Sequence, residues 1–262
     1  MNKDTNKLLF KPKKIMTITH DQNTVPVVLI RHAQSLWNKE NRFTGWADPP
    51  LTEAGLAEAE HAAETLRAAG FRFDAAYSSR LQRARQTLEV LLKTLRQTAI
   101  PRFEDWRLNE RHYGLLQGLN KAQAAAEVGE AQVWRWRRGY EDKVQPLPRT
   151  DLSHAIHNPL YQDVDPAMLP DVENLAETRA RVMAFWREQI MPPIQSGQRL
   201  LISAHGNTLR ALLMDLAGMS VAEVEAFEIP TATPIVYSFS RDAQPLAWRY
   251  LTTEQQPQAL SA

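Results

Sequence analysis

The chain has no cysteine. This excludes structural disulfides, thiolate nucleophiles and cysteine-bound zinc, and it suits a cytoplasmic location. No apolar run reaches the length of a membrane span, so no membrane partner is expected. Neither sign of charge prevails: 31 Lys and Arg oppose 30 Asp and Glu, a formal net charge of +1. No global basic field therefore argues for nucleic acid. No G-x-G-x-x-G or Walker sequence follows any apolar run, so the usual nucleotide-binding loops are absent. Residues 1–26 carry Lys3, Lys7, Lys11, Lys13 and Lys14 but no apolar h-region and no arginine. They read neither as a secretory signal nor as a transit peptide, and a loosely attached or disordered extension is expected.

What is present is ordinary globular composition, 44% apolar and 23% charged over 262 residues, enough for one large domain or two small ones. Val25–Ile30 is short, β-branched and continuous, the pattern of a buried strand. Leu56, Ala59, Ala63 and Leu66 recur at helical spacing after the Asp48-Pro49-Pro50 turn and stop at Gly70. Phe73–Tyr77 reads as a second strand, and Leu81, Ala84, Leu88, Leu91 and Leu95 as a second helix. Arg199–Ala204 is a third strand, followed by a helix through Leu209, Leu212 and Leu216 to Gly218. A fourth strand covers 233–240. Alternation of strands and helices implies an α/β fold, a three-layer sandwich on a mostly parallel sheet. Residues 103–170 show little periodicity and a Pro-, Asp- and His-rich stretch, expected to be an irregular lid insertion within a single domain at 27–251. Residues 252–262 read as a mobile tail.

In parallel α/β sheets, ligands lie beyond the carboxyl ends of the strands. Two strands end alike here, one on Arg31-His32 and one on His205-Gly206-Asn207. Between them, "YSSRLQRARQT" ends a strand and opens a helix. Arg83 is the arginine that best faces the same rim, because Leu81, Ala84 and Leu88 define the packed face. Two histidines with two arginines and no acidic metal cluster suggest an anion site, since arginine binds phosphate bidentately and stays charged. A neutral imidazole nitrogen between them could accept a phosphoryl group. Its other nitrogen should donate to a backbone carbonyl, which fixes the tautomer. No metal is expected.

"LIRHAQSLWN", "NRFTGWAD", "LNERHYGLLQGLNK", "WRWRRGY" and "SAHGNTLRAL", in this order and spacing, resemble the cofactor-dependent phosphoglycerate mutases of the histidine phosphatase superfamily. The resemblance runs from about Val27 to Leu251. It implies that His32 is the histidine that becomes phosphorylated and that Arg31, Arg83 and His205 form the phosphate pocket around it. It implies that Glu110 exchanges the proton of the substrate hydroxyl. Ser35, Asn38, Thr44, Gly45, Arg111, Tyr113, Lys121, Arg137, Arg138, Gly206 and Asn207 match substrate-contacting positions. The implied reaction interconverts 3- and 2-phosphoglycerate in glycolysis and gluconeogenesis. Its cofactor is 2,3-bisphosphoglycerate, and its usual assembly is a homodimer or homotetramer.

Three departures from that pattern stand out. Ala33 replaces a glycine after the histidine, Ala232 replaces the glycine of I-P-T-G, and "DVENL" at 171–175 replaces Thr-Glu-Ser-Leu. They keep a second reading open, a phosphatase of the same fold hydrolysing small phosphate esters. A third is a non-catalytic phosphoglycerate-binding protein. Taken singly, each candidate also has a plain structural reading. His32 could be a structural histidine at a strand end, Glu110 half of a solvated ion pair, and Lys121 with Arg137 and Arg138 a basic helix face. His154 and His157 lack a third ligand at a metal-binding spacing.

Overall fold

The structure, a computed structural model, describes residues 24–252. In chain order its strands are β1 (Thr24–Arg31), β2 (Ala75–Ser78), β3 (Arg102–Glu104), β4 (Leu200–Ala204), β5 (Ile235–Ser240) and β6 (Pro245–Tyr250). Its helices are α1 (Leu36–Lys39), α2 (Glu53–Ala68), α3 (Gln82–Thr94), α4 (Lys121–Val128), α5 (Glu130–Arg138), α6 (Leu175–Phe185), α7 (Met191–Gln195), α8 (Gly206–Leu216) and α9 (Val221–Ala226). The strands form one six-stranded sheet in the order β3-β2-β4-β1-β5-β6. β3, β2, β4 and β1 pair in parallel, whereas β5 and β6 run antiparallel.

β1 shows why the sheet is central. Successive side chains on a strand point to opposite faces. Val25, Val27 and Leu29 pack into one apolar layer, with Val182 and Phe185 of α6 and Leu209 and Leu212 of α8. Val28 and Ile30 pack into the other, with Ala63 and Leu66 of α2 and Leu88 and Leu91 of α3. Both faces are covered, so the strand reads as a continuous apolar run.

The structure corrects several expectations. The extension up to residue 23 lies outside the described residues, but Thr24–Pro26 already belong to β1 and pair with Ser240, Phe239 and Ser238. Positions 253–262 of the expected tail also lie outside them. Leu56, expected on the buried stripe of α2, is exposed, and Gly55 is buried in its place. The insertion is more regular than expected, because it holds two helices. Asn120 caps α4 by accepting from the Ala122 and Gln123 amides, and Gly129, at φ +88°, joins α4 to α5. Strand β3 and residues 175–195 also escaped the sequence reading. β3 has three exposed residues, and the second segment changes winding. A π-helical turn at Trp186–Ile190 links α6 to α7 just ahead of Pro192-Pro193, whose missing N–H groups break the regular ladder.

The stretch at 145–170 is pinned. Arg149 donates to the Asp171 carboxylate and to the Pro166 and Leu169 carbonyls. Arg80 makes a two-point ion pair with Asp163, both bonds 2.6 Å. Tyr161 stacks near Trp46, with centroids 5.1 Å apart. His154 faces the Asp171 carboxylate and His157 the Arg149 carbonyl.

Candidate active site

Adjacent parallel strands bring the two histidines together. Arg31 on β1 is in register with Ala204 on β4, and the His32 amide still donates to the Ala204 carbonyl. The His32 and His205 rings leave the sheet side by side, 5.0 Å between centroids. β2, on the other side of β4, delivers Ser79 and, in the first turn of α3, Arg83.

The chemical state of His32 follows from its contacts. Nδ1 lies 2.7 Å from the Ala33 carbonyl, which only accepts, so Nδ1 carries the proton. Nε2 then presents a lone pair, toward which Arg83 Nε points from 3.2 Å. Burial, and then the charges of Arg83 and Arg31, hold the imidazole well below its ordinary value of 6.5. A neutral, oriented imidazole with its nucleophilic nitrogen inside an arginine clamp is the result. Arg83 is wholly buried and is itself held by the Ala47 and Gly45 carbonyls. Burial lowers its guanidinium to about 10, so it stays charged. Gly45, at φ +53°, leaves no room for a side chain: a Cβ there would meet Gln117 Oε1 at 2.3 Å.

Two buried polar atoms beside His32 have no protein partner among the described residues: Arg31 Nε and His205 Nδ1. Arg31 uses another nitrogen to grip the Ile229 carbonyl at 2.7 Å. His205 Nε2 is 2.7 Å from Ser79 Oγ. The Ser79 hydroxyl, which also accepts from the Leu81 amide, can donate to Nε2, and in that arrangement His205 Nδ1 bears the proton. A buried donor left unpaired costs about 1–3 kcal/mol. Two such donors converging beside a nucleophile fit an anion, and the chemistry of a phosphoryl group suits them.

Glu110 is the one carboxylate lining this pocket. Its Oε1 accepts from the Arg111 and Asn207 amides at 2.9 and 3.1 Å, and its Oε2 lies on the side of Gly206 and Arg31. Its backbone is fixed from behind. Arg181 donates to the Arg107, Asn109 and Glu110 carbonyls and grips Glu173 at two points, and Trp46 Nε1 donates to the Glu110 carbonyl. Glu173 comes from the divergent "DVENL" stretch, which thus serves as a buried clamp.

The insertion supplies further cations to the same pocket. Lys121, at the start of α4, and Arg137 and Arg138, at the end of α5, line the same pocket with Asn38, Thr44 and Tyr113. Burial, then Arg137 and Arg31, lower the Lys121 amine to about 8. The Arg137 guanidinium makes no hydrogen bond among the described residues, whereas Arg138 reaches the Phe227 carbonyl and Glu228.

Three expected residues do not line the pocket, the first being His205, which is wholly buried against His32 and Ser79. Ser35 is wholly buried as the cap of α1, where it bonds with Asn38, and it does not line the pocket. Arg111 is wholly buried and donates to the Glu173, Gly139, Trp136 and Asp142 carbonyls, which ties the insertion together. Conversely, Arg42 and Arg210 line the pocket without having been singled out. Arg210 lies three residues after Asn207 on α8, a spacing that places both on one face. Of the departures, Ala33 is wholly buried off the pocket wall, and Ala232 adopts the left-handed conformation at φ +46°.

The fold is shared with known proteins. Residues 27–250 match the family described as the histidine phosphatase superfamily, branch 1. Among solved structures, the α-ribazole phosphatase of Shigella flexneri is similar at 22% identity and TM-score 0.63, over 87% of this chain and 96% of that one. A mycobacterial glucosyl-3-phosphoglycerate phosphatase, solved with VO3, is similar at 24% identity and TM-score 0.64, over 86% and 97%. A phosphoglycerate mutase from Bacillus anthracis is similar at 22% identity and TM-score 0.62, over 87% and 92%.

Proposed function

The chain belongs to the histidine phosphatase superfamily, branch 1, and from that premise we propose that it is a phosphoglycerate mutase dependent on 2,3-bisphosphoglycerate. One observation carries this reading. The pocket is lined by Arg31 and Arg83 together with His32, and also by Lys121, Arg137 and Arg138 from the insertion, with Glu110 as its single carboxylate. That pattern suits a short acid with an anionic group at each end and a hydroxyl between them.

When bound, 2,3-bisphosphoglycerate supplies the phosphoryl group that primes His32. His32 Nε2 forms the P–N bond as the P–O bond to the donor oxygen breaks, while Nδ1–H stays on the Ala33 carbonyl. Arg83, Arg31 Nε and His205 Nδ1–H face the charge on the phosphoryl oxygens, the main help a protein can give a loose phosphoryl transition state. Glu110 delivers a proton to the departing oxygen. In the return transfer it removes one from the attacking hydroxyl of the substrate. His32 is 3% exposed; a site that keeps water from the phosphorylated nitrogen would favour transfer over hydrolysis. On this reading the assembly is a homodimer or homotetramer.

The phosphatase alternative draws on the names of two of the similar structures and on Ala33. The separating experiment is an enolase-coupled assay on 3-phosphoglycerate, with and without trace 2,3-bisphosphoglycerate, with free phosphate read in parallel. Bisphosphate-stimulated 2-phosphoglycerate with little free phosphate is expected, and both signals should vanish in His32→Ala. Free phosphate without isomerisation would establish the phosphatase. Binding without turnover would establish the non-catalytic reading.

A further inference from the structure

Arg210 is an expensive residue to place where it stands. It is 3% exposed on α8, yet no carboxylate among the described residues pairs with it. Its NH2 donates to Asn207 Oδ1 and, at 3.0 Å, to the Arg137 carbonyl at the end of α5. Its NH1 reaches the Val224 carbonyl on α9 at 3.4 Å. Burial, then Arg138, lowers its guanidinium to about 9. Its hydrogen bonds place it between Asn207 and the end of α5, which carries Arg137 and Arg138.

The bond to Asn207 has a directional consequence. An amide side chain can present either an acceptor oxygen or a donor NH2 group. Arg210 has only donors, so it holds Oδ1. The NH2 group is thereby turned to Tyr113, whose hydroxyl it meets at 3.1 Å, along the pocket wall. With Arg210 absent, nothing among the described residues would stop the amide from turning its oxygen toward the incoming anion.

We infer that Arg210 is a positioning residue. It fixes the Asn207 amide with its donor toward the second anionic group of the substrate. This rests on the reading of the substrate as an acid with two anionic ends. It predicts that Arg210 acts through Asn207, and on binding at the second end only.

The experiment is a double-mutant cycle on Arg210→Gln and Asn207→Ala, with 3-phosphoglycerate and inorganic phosphate titrated calorimetrically and steady-state kinetics on 3-phosphoglycerate. Arg210→Gln should weaken 3-phosphoglycerate binding and raise KM about tenfold, with kcat changed less than about threefold and phosphate affinity less than about twofold. Asn207→Ala should match it, and the double variant should be no worse than either single one. Losses that multiply, a fall in kcat at constant KM, or an equal loss of phosphate affinity would each overturn the inference. Should Arg210→Gln fail to fold by circular dichroism, Asn207→Asp tests the same point. Replacing the donor by a carboxylate should cost at least tenfold in 3-phosphoglycerate affinity, and wild-type affinity would overturn the inference. A wild-type protein that binds 3-phosphoglycerate without converting it refutes the mutase reading alone, and the binding comparisons then decide on Arg210. One that binds none overturns both.

Discussion

Lowering the pH should destabilise this protein well before its carboxylates titrate. Three imidazoles are buried in the neutral state. Burial, assisted by nearby arginines, holds His32 and His205 well below 6.5, and burial with His154 and Arg181 nearby takes His112 to about 3. In the unfolded chain each returns to about 6.5. Between those values the unfolded state binds more protons, so stability falls as pH falls. From pH 7.5 to 5.5 each group removes about 1.4 kcal/mol, and the three together roughly 4 kcal/mol. A domain of this kind has about 5–15 kcal/mol to lose. Urea unfolding followed by tryptophan fluorescence, in phosphate-free buffer across that range, measures the slope. His112→Gln should reduce the loss by about a third. A stability that stays flat over the range would mean that the histidines take up protons in the folded state. The account of His32 as a neutral nucleophile in a water-excluded clamp would then fail.

Other outcomes follow from single contacts. Lys121 loses its charge as pH rises through about 8, so kcat/KM for 3-phosphoglycerate should fall above that pH. In Lys121→Arg that fall should disappear; an unchanged profile would place the titrating group elsewhere. Ala232 sits at φ +46°, a conformation that costs a non-glycine residue about 1–2 kcal/mol. Ala232→Gly should therefore raise stability by up to about 1 kcal/mol, after the glycine's extra freedom in the unfolded chain is offset. Arg181→Met strands the buried Glu173 carboxylate and frees three carbonyls behind Glu110. It should cost about 3–5 kcal/mol in urea unfolding and lower kcat in whatever fraction still folds. A loss under about 1 kcal/mol would show that the clamp is not needed.

The strand-end arithmetic that placed Arg31, His32 and His205 on one rim was legible because β1 and β4 are mostly apolar runs that give way abruptly to polar side chains. Their adjacency needed the sheet order, which no local pattern encodes. Arg83 was legible from the apolar face of α3, which leaves it pointing to the rim. The insertion was harder. α4 is alanine-rich and α5 is arginine-rich, so neither shows an apolar stripe, and their helicity rests on the Asn120 cap and on packing around Phe43 and Val133. Arg111 and Ser35 look from the sequence like further polar groups beside the site. Only the backbone shows that Arg111 is spent on four carbonyls and Ser35 on a helix cap. The reverse holds for Glu173 and Arg181, which lie far apart in sequence from the Glu110 carbonyl they secure.

The most direct test of the central claim is to identify the nitrogen that carries the phosphoryl group. The protein would be incubated with 2,3-bisphosphoglycerate, quenched in alkali and examined by phosphorus NMR and peptide mapping. The Nδ1–H bond to the Ala33 carbonyl and the approach of Arg83 to Nε2 predict phosphohistidine at His32 Nε2, absent in His32→Ala. A phosphoryl group on Nδ1, or on any residue other than His32, would contradict the account.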